Sequence, residues 1–308
     1  MSIPASPTHP LHGLSPFVYG TTRLGDAAIP FAERVRMARA AMEHGIWFHT
    51  SHQYGDALAV LRAAFDEDRA HVPRSIFKIG WHGIDEVRAT IEALTRAVGI
   101  EHMDIGQLCL DGELARDFAA GGPSVQALHQ IRSEGKVGRF LLQVFPWTSK
   151  VAFAALRAGH ARGLIDGYIF YLNPLQRFAD NPLWDLLLET RSPIVAMRTV
   201  AGGDVHSLRD VPGAAWKDYL RERAAQVAPL FERSGVRSWP EFCVRFAHGF
   251  DAVCATVGAT SKPERLAELV AIARGPLPPL DAAVTSEVAK LQRRWSEEVD
   301  VHGTPGSM

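Results

Sequence analysis

The chain has little of what would place it in several protein classes. Its three cysteines, among 308 residues, show no paired spacing, so we expect no disulfide framework and predict a reducing, cytoplasmic compartment. The histidines show no H-x-x-x-H spacing, and no metal site is expected. A net charge of −1 gives no electrostatic reason to expect nucleic acid or an anionic membrane surface as a partner. No apolar run approaches the roughly 20 residues of a membrane helix, and no secretory signal opens the chain.

A glycine-rich phosphate turn is also missing, because no G-x-G-x-x-G follows the first strand-like segment. An open, doubly wound sheet would usually carry one. Eight short apolar runs instead alternate with amphipathic segments, and most of them are continuous, as is typical of parallel strands buried on both faces. The predicted strands are Pro16–Tyr19, Ile46–Thr50, Ser75–Gly80, Ile105–Leu110, Arg139–Val144, Gly167–Tyr171, Pro193–Met197 and Ala252–Val257. We therefore predict a single-domain (β/α)₈ TIM barrel.

The segments between these strands show helical periodicity. The predicted helices are Phe31–His44, Val87–Val98, Ser124–Ser133, Lys150–Arg162, Ala214–Arg233, Lys262–Ala273 and Ala282–Ser296. We predict a flexible leader over residues 1–14, a barrel with a C-terminal helix over 15–297, and a flexible tail over 298–308.

Chemistry in such a barrel lies at the C-terminal ends of its strands. Lys78 interrupts an apolar strand in a chain with only six lysines, and Tyr54 follows the second strand. An ammonium beside a phenol would make the phenol a better proton donor to a developing alkoxide, which is what carbonyl reduction requires. The alternatives are a lysine that extends from the strand end to solvent and a tyrosine that is simply packed.

Four segments, in order, resemble one family. They are V-Y-G-T-T-R-L-G-D (18–26), A-M-E-H-G-I-W-F-H-T-S-H-Q-Y-G (41–55), E-G-K-V (134–137) and V-G-A-T-S-K-P-E-R-L (257–266). Together they are similar to the aldo-keto reductases over roughly residues 15–275. The resemblance implies a barrel fold, a nicotinamide cofactor and a catalytic tetrad of Asp, Tyr, Lys and His.

The resemblance carries over only half of that tetrad. Tyr54 and Lys78 match the tyrosine and the lysine, whereas His49 stands at the aspartate position and Cys109 at the histidine position. Without the aspartate, nothing obvious in the sequence holds Lys78 in its charged state. Cys109 is a weak donor, and a buried, inert thiol is a more common outcome than a reactive one.

Other family positions also differ. The Ser-Asn pair that holds the cofactor's carboxamide corresponds to Gln143-Val144, the glutamine of strand six to a residue near Ile169, and the adenine-contacting asparagine to Leu269.

The positions expected to bind the cofactor match the family pattern better than the catalytic positions do. A helix that begins near Ser261 would offer backbone N–H groups to a phosphate, and Lys262 with Arg265 would favour a 2′-phosphate, hence NADP(H). The alternative is ordinary helix capping with exposed charges. The expected cofactor-binding residues are Gly20, Thr21, Arg198, Thr199, Gly203, Ser261, Lys262 and Arg265.

These observations favour an NADP-linked oxidoreductase that acts on a specialised small-molecule substrate, a carbonyl or a related compound, with Tyr54 as the proton donor and Lys78 as its electrostatic partner. Two alternatives stay open. One is a non-redox lyase, isomerase or cyclase that uses Tyr54, Lys78, His49 and Cys109. The other is a non-catalytic barrel that binds a nucleotide or a partner protein, as a regulatory subunit would.

Overall fold

The chain folds into a closed barrel of eight parallel strands with helices between them. The computed structural model describes residues 11–110, 112–200, 218–275 and 278–302. The strands are β1 Phe17–Gly20, β2 Trp47–Ser51, β3 Ser75–Lys78, β4 Met103–Cys109, β5 Val137–Gln143, β6 Ile165–Asn173, β7 Gln176–Arg177, β8 Ile194–Met197 and β9 Val253–Gly258. Their order is β5-β4-β3-β2-β1-β9-β8-β6, and pairing of β5 with β6 closes the barrel. The two-residue β7 lies outside it, antiparallel to β6. The predicted (β/α)₈ barrel is confirmed.

The helices pack around this barrel. They are α1 Phe31–Glu43, α2 Ala57–Glu67, α3 Ile84–Val98, α4 Gly112–Ala120, α5 Pro123–Ser133, α6 Ser149–Ala158, α7 Asn181–Glu189, α8 Asp218–Arg233, α9 Trp239–His248, α10 Pro263–Arg274 and α11 Ala282–His302. Four of them, α2, α4, α7 and α9, were not predicted. The predicted extension of α6 to Arg162 is wrong, because Gly159 adopts a left-handed conformation (φ 78°) and ends the helix. Residues 214–217 of the helix predicted over Ala214–Arg233 lie outside the described residues.

The interior of the barrel is apolar over its N-terminal half. The side chains that meet there come from almost every strand: Val18, Trp47, Ile76, Ile105, Leu141, Ile169, Val195 and Ala255. Leu11 packs into the same cluster and is 2% exposed. Burial of each large aliphatic side chain contributes roughly 1.5–3 kcal/mol. The N-terminal half of the barrel is therefore a packed core, and the C-terminal half is left for chemistry.

Residues 11–15 are tied to the N-terminal end of the barrel. The indole N–H of Trp47 donates to the Gly13 carbonyl (2.8 Å), and the Trp47 amide donates to the Ser15 hydroxyl (2.9 Å). Residues 1–10 lie outside the described residues. The domain boundaries stay a prediction, although the packing of Leu11 ties part of the expected leader to the barrel.

The C-terminal helix α11 packs against α8 and the β7 hairpin. Its Gln292 amide donates to the Asn173 carbonyl at the end of β6 (2.7 Å). The helix continues to His302, beyond the predicted end of the barrel unit at 297. No helix in the described ranges has the length and apolar character needed to cross a membrane.

Candidate active site at the barrel mouth

Four consecutive strands, β2 to β5, change from apolar to polar as they approach the C-terminal mouth. Residues two positions apart on a strand have their side chains on the same face of the sheet. On each of these four strands, an apolar side chain in the barrel interior is followed two residues later by a polar one on the same face. The pairs are Trp47 and His49, Ile76 and Lys78, Ile105 and Gln107, and Leu141 and Gln143. The wall of the mouth on this side is therefore built from strand residues.

Tyr54 and Lys78 lie together at this mouth. The ammonium nitrogen of Lys78 is 5.2 Å from the centroid of the Tyr54 ring, and both side chains are half-buried. The His49 ring lies 6.5 Å from the Tyr54 ring, centroid to centroid. The structure thus brings three of the four predicted catalytic residues into one cluster.

Two glycines fix the turn that carries Tyr54. A Cβ atom on Gly25 would lie 1.8 Å from the Tyr54 carbonyl oxygen, so only glycine fits there. Gly55 has a φ of 53°, in the left-handed region, and a Cβ there would come within 2.6 Å of the Gly25 carbonyl oxygen. The turn after β1 and the turn after β2 are therefore in direct backbone contact.

An ion pair supports the same turn. Arg34, on α1, is almost fully buried; its guanidinium donates to the Leu24 carbonyl (2.8 Å) and pairs with Asp56. The bond from Arg34 holds the pKa of the Asp56 carboxyl below its ordinary value. Because Asp56 lies two residues after Tyr54, the pair ties the tyrosine's loop to α1.

His49 is buried and neutral. Burial, together with the positive charge of Lys78, lowers the pKa of its imidazole to about 3, and the hydrogen bond to Gln107 opposes the shift only in part. A protonated His49 would repel Lys78, whereas a neutral ring could accept a hydrogen bond from it. The structure favours the neutral ring.

A chain of hydrogen bonds runs from His49 across the wall. His49 Nε2 lies 2.7 Å from Gln107 Oε1, Gln107 Nε2 donates to Gln143 Oε1 (2.6 Å), and the Cys109 thiol donates to the same oxygen (3.2 Å). Gln107 and Gln143 are 0% and 2% exposed. Gln107 was missed from the sequence, although it interrupts an apolar strand in the same way as Lys78.

Cys109 joins the site as a neutral thiol. Burial raises its pKa, and the charge of Lys78 lowers it by less. Its S–H is used as a donor to Gln143. The geometry therefore favours the inert thiol over a thiolate nucleophile.

Gly20 and Thr21 lie where β1 leaves the barrel. A Cβ on Gly20 would be 3.4 Å from the Gly258 carbonyl oxygen, so the β1 and β9 ends approach closely. Thr21 is fully buried, and its hydroxyl lies 2.8 Å from the Thr50 hydroxyl and 3.2 Å from the His49 carbonyl. The Thr21 side chain thus braces β2.

Arg198 and Thr199 follow β8. Arg198 has a φ of 50°, which is uncommon for a residue with a side chain, and its guanidinium lies 4.8 Å from the centroid of Tyr171. Its carbonyl accepts from the Asn173 amide (3.1 Å). Thr199 is 1% exposed and its hydroxyl donates to the Ala196 carbonyl. Gly203 lies outside the described residues.

Ser261, Lys262 and Arg265 lie at the start of α10 and are exposed. Arg265 pairs with Glu268 (3.0 Å). The loop before the helix is tied to β1, because the buried Tyr19 hydroxyl donates to the Thr260 carbonyl (2.9 Å). The backbone at the start of the helix is therefore held in place, while its side chains are exposed to solvent.

Three family positions that differ in the sequence are apolar and buried. Val144 and Ile169 are 0% exposed and Leu269 is 3% exposed. These side chains cannot supply the hydrogen bonds that an asparagine or a glutamine would make.

A pocket of about 410 Å³ lies away from the mouth, between the barrel wall and helices α4, α6 and α7. None of the predicted site residues lines it. Within the described ranges, no group of His, Cys, Asp and Glu side chains has the arrangement of a metal site.

Comparison with solved structures matches nearly the whole chain. A holo-form aldo-keto reductase from Bacillus halodurans has a TM-score of 0.68 over 91% of this chain and 95% of that chain, at 18% identity. A glycerol dehydrogenase from Gluconobacter oxydans has a TM-score of 0.69 (91% and 92% covered, 18% identity). An aldo/keto reductase from Klebsiella pneumoniae, in complex with NADP and acetate, has 0.65 (91% and 92%, 16% identity).

The chain has the aldo-keto reductase fold. No protein-family model matches the sequence, and no curated protein matches it. The four segments that resemble aldo-keto reductases in the sequence therefore predicted the fold correctly, at an identity that shows the fold alone.

Proposed function

We propose that the protein is an NADP-linked oxidoreductase of the aldo-keto reductase type that reduces a carbonyl group. One observation carries the proposal: the Tyr54 ring and the Lys78 ammonium lie 5.2 Å apart at the C-terminal mouth of a barrel with this fold. The fold alone would not suffice, since one fold hosts many functions.

The residues present fit the phosphate end of the cofactor. The N-terminus of α10 offers backbone N–H groups together with the exposed Ser261, Lys262 and Arg265. Lys262 has no ion pair within the described residues, which leaves its charge for a 2′-phosphate. Arg198 directly follows β8 at the same mouth. At the nicotinamide end, the Gln143 amide stands at the first position of the altered Ser-Asn pair and is its one polar side chain.

The chain's own residues would then hold the substrate and deliver a proton. A bound nicotinamide would supply the hydride. Tyr54 would donate its hydroxyl proton to the carbonyl oxygen, and the Lys78 charge would stabilise the negative charge that develops there. The cradle of Gly25 and the Arg34–Asp56 pair keeps the phenol in place.

Thiol chemistry has less support. A buried, protonated Cys109 that donates to Gln143 is a poor nucleophile. We also propose the cytoplasm as the compartment, supported by three free cysteines.

Titration of NADPH and of NADH, followed by the fluorescence of the seven tryptophans, tests this function. We expect saturable binding with a preference for NADPH. Absence of binding by either nucleotide would refute the proposal, and equal affinities would refute the preference for NADP.

A further inference from the structure

The wall beside Tyr54 carries a positive charge, that of Lys78, which no described side chain of the wall neutralises. His49 is neutral, Cys109 is a thiol, and Gln107 and Gln143 are amides. Lys78 forms no ion pair with any described residue. Among the described side chains of this wall, Lys78 therefore contributes the one net charge, and it is positive.

Two carboxylates in the turns beside this wall are already paired. Asp56, beside Tyr54 in sequence, is held by Arg34, and Asp26, in the turn after β1, is held by Arg23 (3.1 Å). Neither is free to neutralise Lys78. The positive charge of Lys78 acts to lower the pKa of both His49 and Cys109, which lie at two ends of the hydrogen-bonded wall.

The net charge of the wall depends on position 49 as well as on Lys78. In the tetrad that the sequence resembles, an aspartate at that position is the lysine's partner. A neutral histidine in its place leaves the site one positive charge richer. A cationic group with a low-dielectric wall attracts an anionic ligand.

Gln143 adds hydrogen-bond donors at the same wall. Its Oε1 accepts from both Gln107 and the Cys109 thiol. Its Nε2 carries two further N–H donors, and no hydrogen bond engages them within the described part of the chain. The wall offers an ammonium and an amide N–H₂ group, both of which suit a carboxylate.

We infer that the substrate is a 2-oxo acid, whose carbonyl oxygen meets the Tyr54 hydroxyl while the adjacent carboxylate meets Lys78. The inference rests on the proposed function. In the reaction the carbonyl π bond breaks, the carbon takes a hydride from the reduced nicotinamide, and the oxygen takes the Tyr54 proton, which solvent replaces. The products are a 2-hydroxy acid and the oxidised cofactor.

Pyruvate and methyl pyruvate form a matched pair of probes, because they share the ketone and differ in charge. At saturating NADPH we expect kcat/KM to favour pyruvate by about tenfold or more, and this preference should shrink as salt is added. The ester is the more electrophilic ketone, so its intrinsic reactivity works against the expected result. Equal or better reduction of the ester would overturn the inference and leave the proposed function standing.

His49→Asp and His49→Asn provide the matched variants. The aspartate would neutralise Lys78 and should remove the preference for pyruvate, whereas the uncharged asparagine should keep it. A preference that survives His49→Asp in a folded, NADPH-binding variant would overturn the inference.

Calorimetry with oxamate, an unreactive analogue of a 2-oxo acid, gives a readout that needs no turnover. Oxamate should bind the wild-type protein, and Lys78→Met should weaken its binding about tenfold or more while leaving NADPH affinity unchanged. If the protein failed to bind NADPH, the proposed function would fail, yet oxamate binding that depends on Lys78 would still support an anion site. No oxamate binding, or binding that Lys78→Met leaves unchanged, would overturn the inference.

Discussion

The two halves of the barrel mouth are built differently. On the β2–β5 half the polar groups belong to the strands themselves, and His49, Gln107 and Gln143 are buried and bonded to one another. On the β8–β9 half the interior strand positions stay apolar, as at Met197 and Val257. There the polar groups stand on the loops and on the start of α10. The first half is a fixed wall of strand residues, and the second, over its described residues, is a rim of loop and helix-start residues.

The largest expected effect is a loss of stability in the β2–β5 half of the mouth. Gly25→Ala would put a methyl group against the Tyr54 carbonyl, and we expect a loss of about 3 kcal/mol of stability or more, together with loss of any activity that depends on Tyr54. Gly112→Ala is the control, because the nearest atom to its Cβ is a flexible Arg116 side chain at 3.6 Å. Urea unfolding measures both, and equal stabilities would show that the Gly25 contact has no role.

A second effect sharpens the electrostatics of the same half. His49 has an ordinary pKa near 6.5 when unfolded and about 3 when folded. Between these values the unfolded state binds the extra proton, so stability should fall as pH falls below about 6.5. Relative to His49→Asn, the wild-type protein should lose about 2 kcal/mol between pH 7 and pH 5. Parallel pH dependence of the two proteins in urea unfolding would contradict a neutral His49.

A third experiment rebuilds the tetrad in the wall. His49→Asp with Cys109→His would give Lys78 a carboxylate partner and supply a stronger carbonyl-polarising donor. We expect reduction of simple, neutral aldehydes to rise about tenfold, whereas the native protein should reduce them poorly. Each single variant serves as a control, since it breaks one end of the chain through Gln107 and Gln143. Rapid reduction by the native protein would mean that His49 and Cys109 are adequate substitutes.

The smallest expected effect is on cofactor binding at the β8–β9 half of the mouth. Lys262→Ala should weaken NADPH binding roughly tenfold, the value of one charge-assisted phosphate contact, and leave NADH binding unchanged. Lys290→Ala, on α11, is the matched control. If NADPH affinity does not change, the 2′-phosphate lies elsewhere.

The same contrast explains what could be predicted from the sequence. The eight strands were predictable because continuous apolar runs dominate them, and Lys78 stood out against such a run. Four helices were missed for local reasons. In α7, for example, seven of the nine residues after the Asp180 cap are uncharged, so the sequence shows no distinct polar face. Helix α9 begins after a Ser238 cap that the sequence pattern did not single out.

Within the site, the sequence predicted which residues would meet but not how they would bond. The cluster of Tyr54, Lys78, His49 and Cys109 followed from strand ends and from the resemblance. The link through Gln107 and Gln143 depends on the register of β4 and β5, where Gln107 pairs with Leu141 and Cys109 with Gln143. Register is a tertiary property, so a single sequence did not show it.

The most direct test of the account is NADPH-dependent carbonyl reduction by Tyr54→Phe beside the wild-type protein. The variant removes one hydroxyl, so nucleotide binding should be unchanged, while turnover should fall by about 10²- to 10⁴-fold because the proton donor is gone. Turnover that survives in Tyr54→Phe and stops in Cys109→Ser would contradict the account and assign the chemistry to the thiol.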